Sequence, residues 1–226
     1  MPYQLRDGLT CCQVDGTVIF LDAYTDRYFR LSSRLQRAFI ACSRGQSIPD
    51  VEVAELIHWG IPIFHRSASA REPHDLVQAP TCSASERPDN SAHPGLATVA
   101  EVFTTVVSTR LQLANRRLIN VLSSTKAYRA SRSTRPEARL GKENERRLAE
   151  AAHLFSHARA YVPIQPLCLL DSLALSRFLS RRNLYADVVI GVTGDPFAAH
   201  AWVQAADLVL NDTVGNANAY TPIRVM

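Results

Sequence analysis

The sequence predicts a mixed fold of the α+β class, with strands and helices segregated along the chain. The first sixty or so residues alternate short β-branched and aromatic runs with turn residues, the middle of the chain carries helical periodicity, and the end returns to short apolar β-branched runs. At 226 residues the chain can hold one large domain or two small ones, and 46% hydrophobic with 20% charged residues reads as globular. A formal charge of +4 is a mild excess, short of what a dedicated nucleic-acid binder carries. Met1 to Arg6 lacks a basic start followed by an apolar core. The longest weakly charged stretch, 91–109, is interrupted by Pro94 and Glu101. Neither an export signal nor membrane insertion is expected, and the expected location is the cytoplasm.

Leu9 to Val14, Thr17 to Asp22 and Arg27 to Leu31 are the three strands of a predicted meander, separated by Asp15-Gly16 and Thr25-Asp26. From Ser32 the period changes to that of a helix, with Leu35, Ala38, Phe39, Ile40 and Cys42 apolar, Ser32 or Ser33 as cap and Gly45 as stop. A second short helix is expected from Asp50 as cap through His58, after which WGIPIF closes the unit. Residues 66 to 97 carry Ser, Ala, Pro and charge without periodicity and read as a linker.

Helical patterns resume after Pro94-Gly95, through Val99, Val102, Phe103, Val106 and Leu111, then around Leu118 to Leu122. The segment 126–147 holds eight Lys or Arg against three Glu, a composition that suits a solvated face more readily than a binding patch. The next helix, Glu143 to Tyr161, places His153 and His157 four residues apart. No HExxH pattern accompanies them, so a polar helix face is expected there, with no metal. A buried helix should begin near Cys168, after Pro163 and Pro166, and end at Arg181-Arg182-Asn183. ADVVIGV, HAWVQ and LVLND then read as strands, with TGDP as a turn.

Five cysteines, at 11, 12, 42, 82 and 168, form no CxxC pair and no zinc spacing, so neither a disulfide framework nor a metal site is expected. Cys168 is the one with chemical context. It falls in the first turn of its helix, where free N–H groups and the positive dipole end favour a thiolate, the nucleophile of acyl transfer. A small thiol on a buried helix is equally common as plain packing. A nucleophile needs a base, and His200 opens an apolar alternating run, where its ring can stand at a strand end. Asp212, Asn211 and Asp207 are possible orienters of that base.

Hairpin geometry bears on the choice. A three-residue turn, Ala205-Ala206-Asp207, pairs Gln204 with Leu208 and sets Asp212 opposite His200 on one sheet face. A two-residue turn at Ala206-Asp207 sets Thr213 there instead and turns Asp212 away. The sequence allows both.

The run C-L-L-D-S-L-A-L-S-R-F-L from Cys168, A-D-V-V-I-G-V from Ala186, D-P-F-A-A-H-A-W-V from Asp195 and V-L-N-D from Val209 resembles the transglutaminase-like leader peptidases of lasso-peptide biosynthesis, the B proteins. The likeness covers about the last sixty residues in order and spacing. At the front, three strands followed by helices, with D-R-Y-F-R-L at 26–31, resemble the PqqD-like precursor-recognition domain often fused to these peptidases. A Gly frequent in the turn before the aromatic pair is absent, Thr25-Asp26-Arg27 standing in its place.

The resemblance implies a small winged-helix-like recognition domain (1–66), a linker (67–97) and a transglutaminase- or papain-like cysteine peptidase domain (98–226). It implies hydrolysis of the leader–core bond of a ribosomally made lasso precursor before macrolactam formation. Cys168 would be the nucleophile, His200 the general base and acid, and Asp212 the orienting carboxylate. A backbone N–H at the start of the Cys168 helix, or the Gln165 side chain, would serve as oxyanion donor. Arg27, Tyr28, Phe29, Arg30 and Leu31 would bind the leader as an added strand. The implied partners are the precursor and an asparagine-synthetase-like cyclase. No cofactor is implied: the chain has no GxxxxGK[ST] stretch, so any use of ATP falls to the partner.

Three other readings compete. A transcription regulator would need more phosphate contacts than Arg34, Arg37 and Arg44 offer on the two early helices. A non-catalytic leader-binding adaptor would not need a complete Cys, His and Asp set. An acyl-transferring transglutaminase-like enzyme would keep the triad and differ in its product.

Overall fold

The computed structural model describes residues 3–61, 64–65, 77–88, 93–133 and 141–226. The chain opens with β1 (Tyr3–Gln4), β2 (Leu9–Val14), β3 (Thr17–Asp22) and β4 (Arg27–Arg30), followed by α1 (Ser33–Ser43), α2 (Asp50–His58) and β5 (Phe64–His65). β2, β3 and β4 form the expected antiparallel meander, while β1 pairs with β5. Asp15 and Gly16 both take left-handed φ values, 48° and 78°, which the tight β2–β3 turn requires. The Ser32 hydroxyl caps α1 by accepting from the Leu35 amide. Asp50 is not a cap as expected: Pro49 occupies that position, and Asp50 sits in the first turn, where its charge complements the helix dipole.

Alternation along β2 and β3 splits their side chains between two cores. Leu9, Cys11, Val18 and Phe20 face α1 and α2, packing with Leu35, Ala38, Phe39 and Leu56. Cys12, Ile19 and Leu21 face the other way and join the large core of the carboxy-terminal part, which includes Ile119, Leu122, Leu173 and Val192. The amino-terminal sheet is thus buried on both faces.

β6 (Cys82–Ser83) comes next, then α3 (Leu96–Asn115), α4 (Leu118–Arg132), α5 (Lys142–Arg159) and α6 (Cys168–Ser180). The chain ends with β7 (Asp187–Val192), β8 (Ala199–Ala205), β9 (Leu208–Val209), α7 (Val214–Asn218) and β10 (Thr221–Val225). The second sheet runs β10-β7-β8-β9-β6, antiparallel except for the parallel β9–β6 pair. α6 lies buried against this sheet, with α3, α4 and α5 packed around it and the Ser172 hydroxyl donating to the Ala201 carbonyl (3.0 Å).

Two sequence readings change here. Residues 77–88 fall in the span expected as linker, yet they supply β6 and a set of bonds to the sheet, while 66–76 and 89–92 lie outside the described residues. LVLND is not a full strand, because the ladder ends at Val209. No helix among the described residues is long and apolar enough to cross a membrane.

Candidate active site

Cys168 is the first residue of α6 and is exposed. Leu167, the cap residue, offers no side-chain hydrogen bond, so the first amides of the helix remain directed at the space around the sulfur. His200 reaches that space from the start of β8, beside Gly191 on β7. A Cβ at Gly191 would lie 2.8 Å from both the Trp202 ring and Tyr220, so only glycine lets those rings close against the strand. They in turn flank the imidazole, with ring centroids 6.1 Å away for Trp202 and 5.1 Å for Tyr220.

His200 and Asp212 meet through Nε2 and Oδ2 at 2.6 Å. Cys168 stands close enough to the same imidazole for each group to shift the proton affinity of the other. With Nε2 committed to the carboxylate, Nδ1 is the nitrogen left for the sulfur. His200 holds the Cys168 thiol below its ordinary pKa, against the opposing effect of burial, with help from the amides of Ala201 and Leu169. His200 is raised by Cys168, again against burial, and by Asp212. Both shifts favour a thiolate–imidazolium pair.

Asp212 reaches His200 through neither continued hairpin register. The turn is the two-residue one: Ala205 pairs with Leu208, and Ala206 takes a left-handed φ of 52°. Extended further, that register would turn Asp212 away from His200. Instead the chain leaves the ladder after Leu210, whose amide still donates to the Val203 carbonyl. The Asn211 side chain then accepts from the Val203 amide (2.7 Å), and its own amide donates to the Ser172 hydroxyl (3.0 Å). Asp212 is thereby swung back under the imidazole. Asn211 is a support of the loop and Asp207 belongs to the turn, where the Thr81 amide and hydroxyl bind it.

Several further groups hold this carboxylate, and none was singled out from the sequence. The Asn216 amide donates to Asp212 Oδ1 (3.0 Å) and Oδ2 (2.9 Å), and the Thr213 backbone amide donates to Oδ1 (2.8 Å). The D-x-x-x-N spacing was the available signal for Asn216. Ser83 and Ser85 both donate to the Asp212 backbone carbonyl, at 2.5 and 2.7 Å. Glu86 accepts from the Val214 amide (3.1 Å), so the segment around β6 clamps the loop from outside.

Of the residues expected at the leader, β4 carries four, and Leu31 follows it, buried. β4 pairs only with β3, leaving its other edge open among the described residues. Phe29 stacks on Phe20 (5.1 Å) and Trp59 (5.8 Å). Tyr28 faces the opposite way, toward the second sheet, and packs on Phe197 (5.4 Å). Arg30, on the same face as Tyr28, donates to the Gly194 carbonyl. Gln165 is exposed in the loop leading to α6. His153 donates to the Ala84 carbonyl (2.6 Å), and the His157 ring lies 6.4 Å from that of His93. Arg34 is held by Glu52 and Glu55. The basic segment 126–147 is described only outside 134–140.

Residues 105–225 match the family profile of the transglutaminase-like superfamily. Over 45 residues the chain is 49% identical to the microcin J25-processing protein McjB of Escherichia coli. That alignment covers 20% of this chain and 22% of the relative, about a fifth of the length of each. No solved structure matches the chain.

Proposed function

The chain belongs to the transglutaminase-like superfamily, and from that premise we propose that it is a cysteine peptidase that removes the leader from a lasso-peptide precursor. The observation that carries the reading is the grouping of Cys168, at the start of α6, with His200 on β8 and the Asp212 carboxylate bonded to that imidazole. The sequence pattern shared with lasso-peptide B proteins, and a relative named as a microcin J25-processing protein, support the substrate.

In this mechanism the Cys168 thiolate attacks the carbonyl carbon of the scissile bond. The developing oxyanion is met by an amide at the head of α6, with Gln165 as a second donor once substrate is bound. His200, carrying the proton of the thiol, gives it to the leaving amine, and the core peptide departs with a free amino terminus. Water, deprotonated by His200, then releases the leader from the acyl-enzyme. Asp212 holds the imidazole in orientation and stabilises its cationic form.

The leader would add to the open edge of β4 as a further strand, in the manner of a winged-helix-like, PqqD-like recognition unit, with Arg27, Phe29 and Arg30 beside it. The freed amine would pass to an asparagine-synthetase-like cyclase in the cytoplasm, and the peptidase itself would use no cofactor.

The test is incubation of the purified chain with a lasso precursor and its cyclase, read by mass spectrometry. Leader and core of hydrolytic mass support the reading. An intact precursor rejects it, and an amine-linked product replaces hydrolysis with acyl transfer.

A further inference from the structure

Tyr28 is a residue of the amino-terminal sheet, yet its surroundings belong to the catalytic half. It packs against the large carboxy-terminal core and on Phe197, which lies in the β7–β8 loop three residues before His200. Its phenol is pushed up to about 12, first by burial and then by Asp26 and Cys168. Arg30, two residues on and on the same face, fastens the strand to that loop through the Gly194 carbonyl, with its guanidinium 6.0 Å above the Phe197 ring.

The apolar surface beside these residues is not fully covered. Phe197 remains 45% exposed, and Leu167, next to Cys168 in the chain, 49% exposed. Large apolar side chains left open on the segments that lead into Cys168 and His200 are suited to packing a substrate side chain. The direction of the substrate follows from β4. A peptide held on this strand enters the cleft from the leader side, and the leader is the fragment that becomes acylated on Cys168.

We propose that Tyr28 and Phe197 form an apolar side-chain subsite for the leader residues next to the scissile bond, so that the sheet which holds the leader also reads its end. This rests on the peptidase reading of Cys168. Tyr28 is here a specificity-determining residue, distinct in role from Phe29 on the opposite face of the same strand.

The subsite is testable on the full chain without knowing the precursor. Dipeptidyl chloromethyl ketones alkylate a catalytic thiolate, with a carbon–sulfur bond formed and chloride lost. A panel carrying leucine or aspartate at either residue, each rate divided by that of iodoacetamide on the same variant, reports side-chain preference alone. The wild-type chain should prefer leucine by about tenfold or more, the scale at which an apolar pocket discriminates. Tyr28→Ala and Phe197→Ala should each reduce the preference to within about threefold, and Tyr28→Phe, which keeps the ring, should retain it.

Retention of the preference in Tyr28→Ala overturns the proposal, as does its loss in Tyr28→Phe to the same extent. A precursor left uncleaved while the ketone preference behaves as stated would reject the lasso reading and leave the subsite standing. A cleaved precursor with no dependence on Tyr28 in the ketone panel would do the reverse.

Discussion

The His200 ring meets Asp212 through Nε2 at 2.6 Å, with the Asn216 side-chain nitrogen 3.4 Å from the same atom, and its proton affinity is raised by the Cys168 thiol. If Cys168 is the nucleophile proposed above, Cys168→Ala should abolish leader removal with the fold retained, as judged by product mass and circular dichroism, and His200→Ala should be comparably inactive. Asp212→Asn keeps the shape of the contact but loses the charge that stabilises the imidazolium, so cleavage falls by orders of magnitude. A wild-type rate for that variant would make Asp212 structural. The pKa directions give a second test. The Cys168 thiol is lowered by His200, so iodoacetamide should alkylate it well below the pH at which an ordinary thiol ionises. In His200→Ala the alkylation curve moves upward, since the largest cause of the lowering is gone. A curve unmoved by that substitution would assign the shift to the backbone amides of Ala201 and Leu169.

Two elements of modest size support the His200–Asp212 contact, one behind each partner. The Ser83 and Ser85 hydroxyls converge on the Asp212 carbonyl from the short β6 segment, and neither touches a reacting atom. Replacing both by alanine should lower kcat about tenfold with little change in KM, while Ser83→Thr, which keeps a hydroxyl, recovers most of the rate; an unchanged kcat would reduce the clamp to packing. On the far side of the imidazole, Gly191→Ala forces a methyl group to within 2.8 Å of Trp202 and Tyr220. We expect a loss of about 1–3 kcal/mol of stability by thermal or urea unfolding, together with reduced cleavage. These elements also mark what the sequence made legible. The strands β2 to β4 and the limits of α6 could be read because their apolar periods are uninterrupted and their boundaries carry Asp-Gly, Thr-Asp or Pro. Cys168, His200 and Asp212 could be picked out by type, order and resemblance. β6 was hidden because a two-residue parallel edge strand within a Ser-rich stretch has no period to detect. Asn216 and the two serines were hidden because their roles exist only once the loop has turned back under His200.

At the scale of the whole molecule, the amino-terminal sheet does more than sit on a tether. Cys12, Ile19 and Leu21 are all at most 2% exposed and belong to the carboxy-terminal core, and the Ile119 amide donates to the Ala23 carbonyl. Cutting the two halves apart therefore uncovers an apolar face on each, and burial of that face should drive them back together. The boundary matters as well. A carboxy-terminal fragment beginning at residue 95 lacks β6 and the Ser83–Ser85 clamp, whereas one beginning at residue 77 keeps them. We expect co-expressed fragments 1–66 and 77–226 to co-purify and to cleave precursor, with leader affinity, measured by calorimetry, residing in the 1–66 part of that complex. Fragment 77–226 alone should cleave poorly, since both the open edge of β4 and the Tyr28 wall are missing, and addition of 1–66 should restore the rate. Fragment 95–226 should stay inactive even when 1–66 is supplied, because its Asp212 loop has lost the outer support. Full cleavage by 77–226 on its own, or leader binding confined to that fragment, would overturn the division of labour between the two halves.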